Sequence, residues 1–292
     1  MATQFNRAAE DLANVVGLEH VNLRVPDQRL ATLFYITGLG FTRDPYLVTG
    51  VANMWVNIGR SQFHLPTGGP QMLRGRTGLV VPDLAALGKS LRAVRGELKH
   101  TKFAYRAGKG HIDVTCPWGN KIRCYQPHAK FGQTVLGMAY VLFNVPPGAA
   151  KGIARFYRDI LGTAATVKPF EKARAAHVAV GYHQKLIFRE TGARLAKYDG
   201  HHLQLYVNNF SRPHAALRER GLITEESNQH QYRFRDIVDP DGGEVLYALE
   251  HEIRSMTHPL YARPLINRNP AQTNAAFAPG HDDRPWAAPH RM

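Results

Sequence analysis

The chain repeats itself at two nested scales, and few folds can satisfy that constraint. "GLEHVNLRVPD", starting at Gly17, returns as "GMAYVLFNVPP", starting at Gly137, so that Gly17, Val21, Val25 and Pro26 align with Gly137, Val141, Val145 and Pro146. Farther along, "LFYITGLGF" from Leu33 is answered by "RFYRDILGT" from Arg155, with Phe34-Tyr35 over Phe156-Tyr157 and Leu39-Gly40 over Leu161-Gly162. The turn "CPWGNKI" from Cys116 is matched by "DPDGGEV" from Asp239, each leading into a final strand. Two similar domains are therefore expected at residues 17–128 and 136–251. Residues 1–16 form an N-terminal extension and residues 252–292 a tail.

A shorter repeat is nested inside each domain. "RTGLVVPDLAALGKSLRAV" from Arg76 mirrors "HVNLRVPDQRLATLFYITG" from His20, and "HLQLYVNNFSRPHAAL" from His202 mirrors the segment at Tyr140. Each copy opens with an alternating strand, continues as a helix of about ten residues, and ends in three shorter β segments. The unit is βαβββ, present four times. The fold class is α+β, with two consecutive units expected to curl into each of two tandem cupped sheets.

Composition removes several classes of function. A hydrophobic content of 44% with 21% charged residues is that of a globular chain, and 292 residues suffice for two cores. No apolar run reaches the length of about 18 residues that a membrane span needs, and "MATQFNRAAEDLANVVGLEH" lacks the pattern of a secretory signal. Cys116 and Cys124 are too few for a disulfide framework, so a reducing cytoplasm is the simplest compartment. The net charge of +14 attracts anions. The basic stretch "KSLRAVRGELKHTKFAYRAGK" from Lys89 nevertheless crosses a helix, a turn and a strand and carries no nucleic-acid-binding signature, so nucleic acid is not favoured as a partner. The tail from Thr257, rich in Pro, Arg and His, has no period. It is expected to run over a domain surface or a homodimer partner, docking through Tyr261 and Trp286, with a lid over one cup as the lesser alternative.

"LEHVNLRVPD", "FYITGLGF", "SQFHLP", "GHHLQLYVNN" and "DPDGG", in this order, resemble the vicinal oxygen chelate superfamily. That group includes glyoxalase I, extradiol dioxygenases, fosfomycin-resistance proteins, methylmalonyl-CoA epimerase and bleomycin-resistance proteins. The resemblance spans residues 17–251, and the two-domain layout is most similar to the type I extradiol dioxygenases. It implies that ligands sit in the cups, and that a metal, where present, is held by His, Gln or Glu from the first and last strands of each unit. Carried across, those places hold His20, His64, Arg76 and Arg123 in the first domain, and Tyr140, Ile187, His202 and Leu246 or Tyr247 in the second. The expectation is a depleted metal site: either no cofactor, or one divalent ion (Fe, Mn, Ni or Zn) on His20 and His64 with help from Gln62 or Asn22.

Strand parity fills in the rest of the first cup. His20, Asn22 and Arg24 share one face, as do Gln62 and His64, and Trp55 and Asn57 are placed inward with them. Guanidiniums bind carboxylate, phosphate or enolate oxygens in a bidentate way, imidazole moves protons near neutral pH, and an indole can cover a ring. The expected function is glyoxalase- or dioxygenase-like. A small oxygenated, anionic substrate is held by Arg76 and Arg123, which stabilise an oxyanion, while His20 or His64 acts as general acid or base in isomerase or lyase chemistry. One alternative is a non-catalytic small-molecule binding or resistance protein. A second is a metal-dependent extradiol-type dioxygenase with ligands displaced by a residue or two in the last strands. The second cup offers Tyr140, Asn144, His202, Gln204 and Tyr206 for substrate contact, and of the adjacent His201 and His202 only one can face inward. "EHEIRSMTH" from Glu250 lacks the His spacing of a helical zinc site and is assigned no catalytic role.

Overall fold

The computed structural model describes residue 7, residues 11–47 and residues 50–268. Unit one comprises β1 (Val15–Asn22), α1 (Gln28–Ala31), which continues as a π-helical stretch over Thr32–Gly38, then β2 (Thr42–Arg43), β3 (Asn53–Ile58) and β4 (Ser61–Pro66). Unit two comprises β5 (Gly75–Val80), α2 (Leu84–Val94), β6 (Ala104–Gly108), β7 (His111–Thr115) and β8 (Lys121–Tyr125). Unit three comprises β9 (Gly137–Val145), α3 (Ala149–Asp159), β10 (Ala165–Phe170), β11 (Ala173–Ala179) and β12 (Lys185–Glu190). Unit four comprises β13 (His202–Val207), α4 (Ser211–Glu219), β14 (Ile223–Asn228), β15 (Gln231–Val238) and β16 (Val245–Ser255). All four are βαβββ, as the nested repeat requires.

The local reasons are legible in each copy. The Val-Pro-Asp that follows β1 and β5 ends the strand at proline and supplies a helix cap: Asp27 accepts from the Leu30 N–H, and Asp83 from those of Ala85 and Ala86. The paired aromatics Phe34-Tyr35 and Phe156-Tyr157 are all buried, so each helix docks by the same two rings. Cys116 and Cys124 are buried free thiols.

The units do not pair in sequence order. One eight-stranded sheet runs β14-β15-β16-β13-β1-β4-β3-β2, and the other β10-β11-β12-β9-β5-β8-β7-β6. Unit one therefore shares a sheet with unit four, and unit two with unit three. Residues 17–128 do not close a cup of their own, nor do residues 136–251. Each sheet is centred on an antiparallel pair of first strands, β1 with β13 and β5 with β9, and each of those strands runs parallel to the last strand of its own unit. Glycine contributes to the partner choice. A Cβ at Gly75 would strike the Leu142 carbonyl and one at Gly78 would overlap the Tyr140 ring, so β5 is shaped to accept β9. Among the described residues, no helix is long and apolar enough to cross a membrane.

The tail is partly visible. Asn267 exchanges hydrogen bonds with the backbone of Gly59, Asn57 donates to the Ile266 carbonyl, and Arg263 pairs with the buried Asp44 at 2.6 Å. Residues up to 268 thus lie along β3, while Trp286 falls outside the described residues. The expected boundary at 251 cuts through β16, which continues to Ser255.

The Gly78→Ala variant should lose about 1–3 kcal/mol of stability in urea denaturation because its methyl meets the Tyr140 ring. Gly17→Ala, which meets nothing within 4 Å, should change stability by less than about 1 kcal/mol.

Candidate metal centre

The β1–β13 pairing sets Asn22 opposite His202 and brings the first-strand histidines of units one and four into one cup. The rings of His20 and His202 lie 5.9 Å apart, and those of His20 and His64 lie 5.7 Å apart. The parallel pairing of β13 with β16 places Glu252 opposite Gln204 on the same face. Ligand-capable atoms of His20, His202 and Glu252 fall within 4.8 Å of one another, and all three residues are buried. It is the one such group of three among the described residues.

Hydrogen bonding sorts the roles of the three imidazoles. His20 uses Nδ1 toward Glu19 Oε2 at 3.3 Å, whereas His202 stands at ion-pair distance between two carboxylates, its Nδ1 3.5 Å from Glu250 Oε1 and its Nε2 3.6 Å from Glu252 Oε2. Both have a buried Nε2 that makes no hydrogen bond. A carboxylate behind the imidazole is the usual device for fixing the tautomer of a ligating histidine. His64 differs. Asn22 Nδ2 donates to its Nδ1 at 2.6 Å, which puts the proton on Nε2, also buried and without a partner. The His64 ring is held flat against Trp55 at 3.8 Å.

Glu19 reaches the cup because the β1–β13 register shifts between Leu18 and Val21, a bulge that re-aims one side chain. It accepts from Tyr206 at 3.1 Å and from Arg254 at 3.0 Å. Arg233 bridges Glu250 at 2.7 Å and Glu252 at 2.5 Å. Arg254 Nη2 lies 2.7 Å from Glu252 Oε1 but is misaligned, so that oxygen has no hydrogen bond. Burial holds the His20 imidazole well below its ordinary range, reinforced by Arg254 and Arg233. Burial does the same to His202, with His20 and Arg233 adding to it, and pushes His64 down to about 2. Burial raises the carboxyls of Glu19 and Glu252 against the opposing pull of Arg254.

These residues fit a divalent ion. Two neutral imidazoles with free Nε2 atoms and one carboxylate oxygen form the donor set of iron, manganese, nickel and zinc sites. The carboxyls of Glu19, Glu250 and Glu252 stand around the guanidiniums of Arg233 and Arg254. The sequence reading placed a depleted site on His20 and His64; the donor set seen here is a different one, His20, His202 and Glu252. The expectation examined Leu246 and Tyr247, whereas the carboxylate stands farther along β16 at Glu252. Glu19, Glu250, Arg233 and Arg254 were also missed, although Glu250, Glu252 and Arg254 alternate along "LEHEIRS" with the strand period.

Other expected site residues part company. Trp55 and Asn22 lie beside His64 as described. Asn57 and Gln62 are buried but bond to each other at 2.6 Å, and Gln62 bonds Asp44 at 2.9 Å, toward the Arg263 end of the cup. Arg76, Arg123 and Tyr140 belong to the second sheet, because unit two pairs with unit three. They neither face His20 and His64 nor repel an ion there, and Tyr140 is not a partner of His202. In the second sheet Arg76 Nε donates to the Tyr140 hydroxyl at 3.1 Å. Arg123 grips Asp113 through Nε at 2.6 Å and Nη2 at 3.0 Å. His201 points away from the cup and is buried on Asp199 at 2.6 Å.

No family model matches the chain, and no curated protein does. Solved structures do match. A "putative dioxygenase" from Bacillus subtilis subsp. subtilis str. 168 superposes with TM-score 0.55 at 14% identity, over 84% of this chain and 86% of that one. Glyoxalase I from Zea mays superposes with TM-score 0.55 at 14% identity, over 82% of this chain and 92% of that one. The chain has the vicinal oxygen chelate fold in its two-domain form.

Acid should expose the ion pairs of the second sheet. Burial raises the Asp113 and Glu171 carboxyls, but Arg123 and Arg76 outweigh it and hold both below the usual range. Their stabilisation is complete above the unfolded values of about 4 and is lost as pH falls through the lower folded values. The thermal midpoint of an Asp113→Asn, Glu171→Gln variant should therefore fall less than that of the wild type between about pH 5 and pH 3.

Proposed function

We propose that the chain is a metal-dependent enzyme of the glyoxalase/dioxygenase kind, acting on a small oxygenated substrate in the cup shared by units one and four. The observation that carries this reading is the convergence of buried, unpartnered Nε2 atoms of His20 and His202 on Glu252. The ion, when bound, would polarise a substrate oxygen as a Lewis acid.

The chain's own groups divide the remaining work. Glu19 and Glu250 orient the two imidazoles, and Arg233 and Arg254 hold the Glu252 carboxylate in place. His64 resists protonation, so it acts through its Nε2–H as a neutral donor to a developing oxyanion and not as a base. Glu19 lines a cavity of about 440 Å³ between the sheets, together with Tyr206, Tyr261, Arg263 and Gln184. The tail residues Tyr261 and Arg263 close one side of that cavity.

Metal analysis of protein purified without tag or chelator tests the reading. About one equivalent of Fe, Mn, Ni or Zn is expected in the wild type, with loss in a His20→Ala, His202→Ala double variant. His64→Gln should retain the metal and lose roughly 10²-fold in turnover on whichever ring-cleavage or glyoxalase-type substrate the wild type accepts. Wild-type protein that takes up no metal would sink the proposal. Metal-loaded protein that binds small oxygenated ligands without turnover would instead make it a binding or resistance protein.

A further inference from the structure

The second cup carries a different chemistry at corresponding places. Arg76 occupies the position of His20 in the repeat, and Arg123 lies opposite Gly78 on β8 as His64 lies opposite Asn22 on β4. Arg189 on β12 completes a set of three guanidiniums. All three converge on the carboxylate of Glu171. Arg76 Nη1 donates to Oε2 at 3.2 Å and Arg76 Nη2 to Oε1, Arg123 Nη1 donates to Oε1 at 3.0 Å, and Arg189 Nη1 donates to Oε2 at 2.6 Å. Under this carboxylate the cup floor is apolar and aromatic, with Tyr140 and Ile187 buried and Phe170 packed on them. The Arg76 guanidinium lies 5.8 Å from the centres of both the Tyr140 and Phe170 rings.

Glu171 reaches this place at a conformational cost. It and Lys172 form the two-residue loop between β10 and β11, with Phe170 opposite Ala173 and φ of 49° and 68°. Such loops favour Asn and Gly, the residues that tolerate positive φ. Neither is present. Strained backbone of this kind persists where its surroundings over-determine it, and here the three arginines do so. The Glu171 side chain remains one-third exposed, so the hairpin tip can leave without opening the core. A planar carboxylate gripped by several guanidiniums is what a bound carboxylic acid would look like in this cup.

We propose that the cup of units two and three is a binding site for small carboxylates, which Glu171 occupies as a tethered, displaceable ligand. A free dicarboxylate takes the place of the Glu171 carboxylate between Arg76, Arg123 and Arg189, the β10–β11 tip swings out, and the aromatic floor accommodates the remainder of the molecule. The site is separate from the metal centre and does not depend on it.

Malonate titration of the full chain by calorimetry tests this, with inorganic phosphate as the comparison anion. Removing the internal competitor in Glu171→Gln should tighten malonate binding by roughly tenfold over wild type, because the competent fraction rises. Adding Arg123→Gln to that variant should abolish it. A Glu171→Gln protein with native circular dichroism and no malonate heat overturns the proposal. So does phosphate binding as tight as malonate, which would reduce the cup to an unselective anion site. Should Glu171→Gln fail to fold, hydrogen exchange on the wild type decides. Excess malonate should accelerate exchange at Glu171 and Lys172, and unchanged exchange there would show a fixed structural clamp.

Discussion

Everything at the candidate metal centre depends on one antiparallel ladder, that of β1 with β13. The side-chain period of a strand is two, so a register slip by one residue on either side would turn His20 or His202 out of the cup. The register with Asn22 opposite His202 and Val21 opposite Leu203 is enforced by burial, since Val21, Leu203 and Leu205 occupy the opposite, apolar face. Polar residues on one face and aliphatic ones on the other leave this ladder a single satisfactory alignment. The last strands, β4 and β16, run parallel to these two and inherit the alignment, which is how His64 and Glu252 come to face the same space.

The two sheets show how little of this chemistry belongs to the scaffold. Corresponding positions hold imidazoles in one cup and guanidiniums in the other. In the first, histidines kept neutral by burial leave lone pairs pointing inward with nothing to bind. In the second, three permanent cations share the two carboxylates of Glu171 and Asp113, and their hydrogen bonds close within the protein. The same architecture thus presents imidazole nitrogens without hydrogen bonds in one cup and an ion-pair network in the other. The difference is set by a few substitutions on inward-facing positions of the strands.

The repeat, the capping aspartates and the inward parity of His20, His64 and Trp55 were legible because they are local properties of strands and helix starts. Which units share a sheet was not. The first strands of all four units carry similar apolar alternation, and periodicity does not distinguish one antiparallel partner from another. What does distinguish them is steric detail such as Gly75 and Gly78 on β5, whose meaning appears only once β9 lies against them. Assigning Arg76 and Arg123 to the cup of His20 followed from that ambiguity. Glu252 was missed for another reason. β16 is eleven residues long and irregularly registered with β15, so the spacing carried over from the turn before Arg123 reached only Leu246 and Tyr247.

The pairing of unit one with unit four has a consequence for how the molecule comes into being. Units two and three are neighbours in sequence and can close their sheet across a short connection. The cup of units one and four draws on His20 and Glu252, near opposite ends of the described chain, and its closure bears a larger loop entropy. During synthesis β1 emerges well before β13, the strand that covers its open edge, and β16 then adds to β13. The cup is therefore complete only once β16 has been made. A chain truncated before β16 would retain the carboxylate-filled cup and lack the Glu252 ligand of the other.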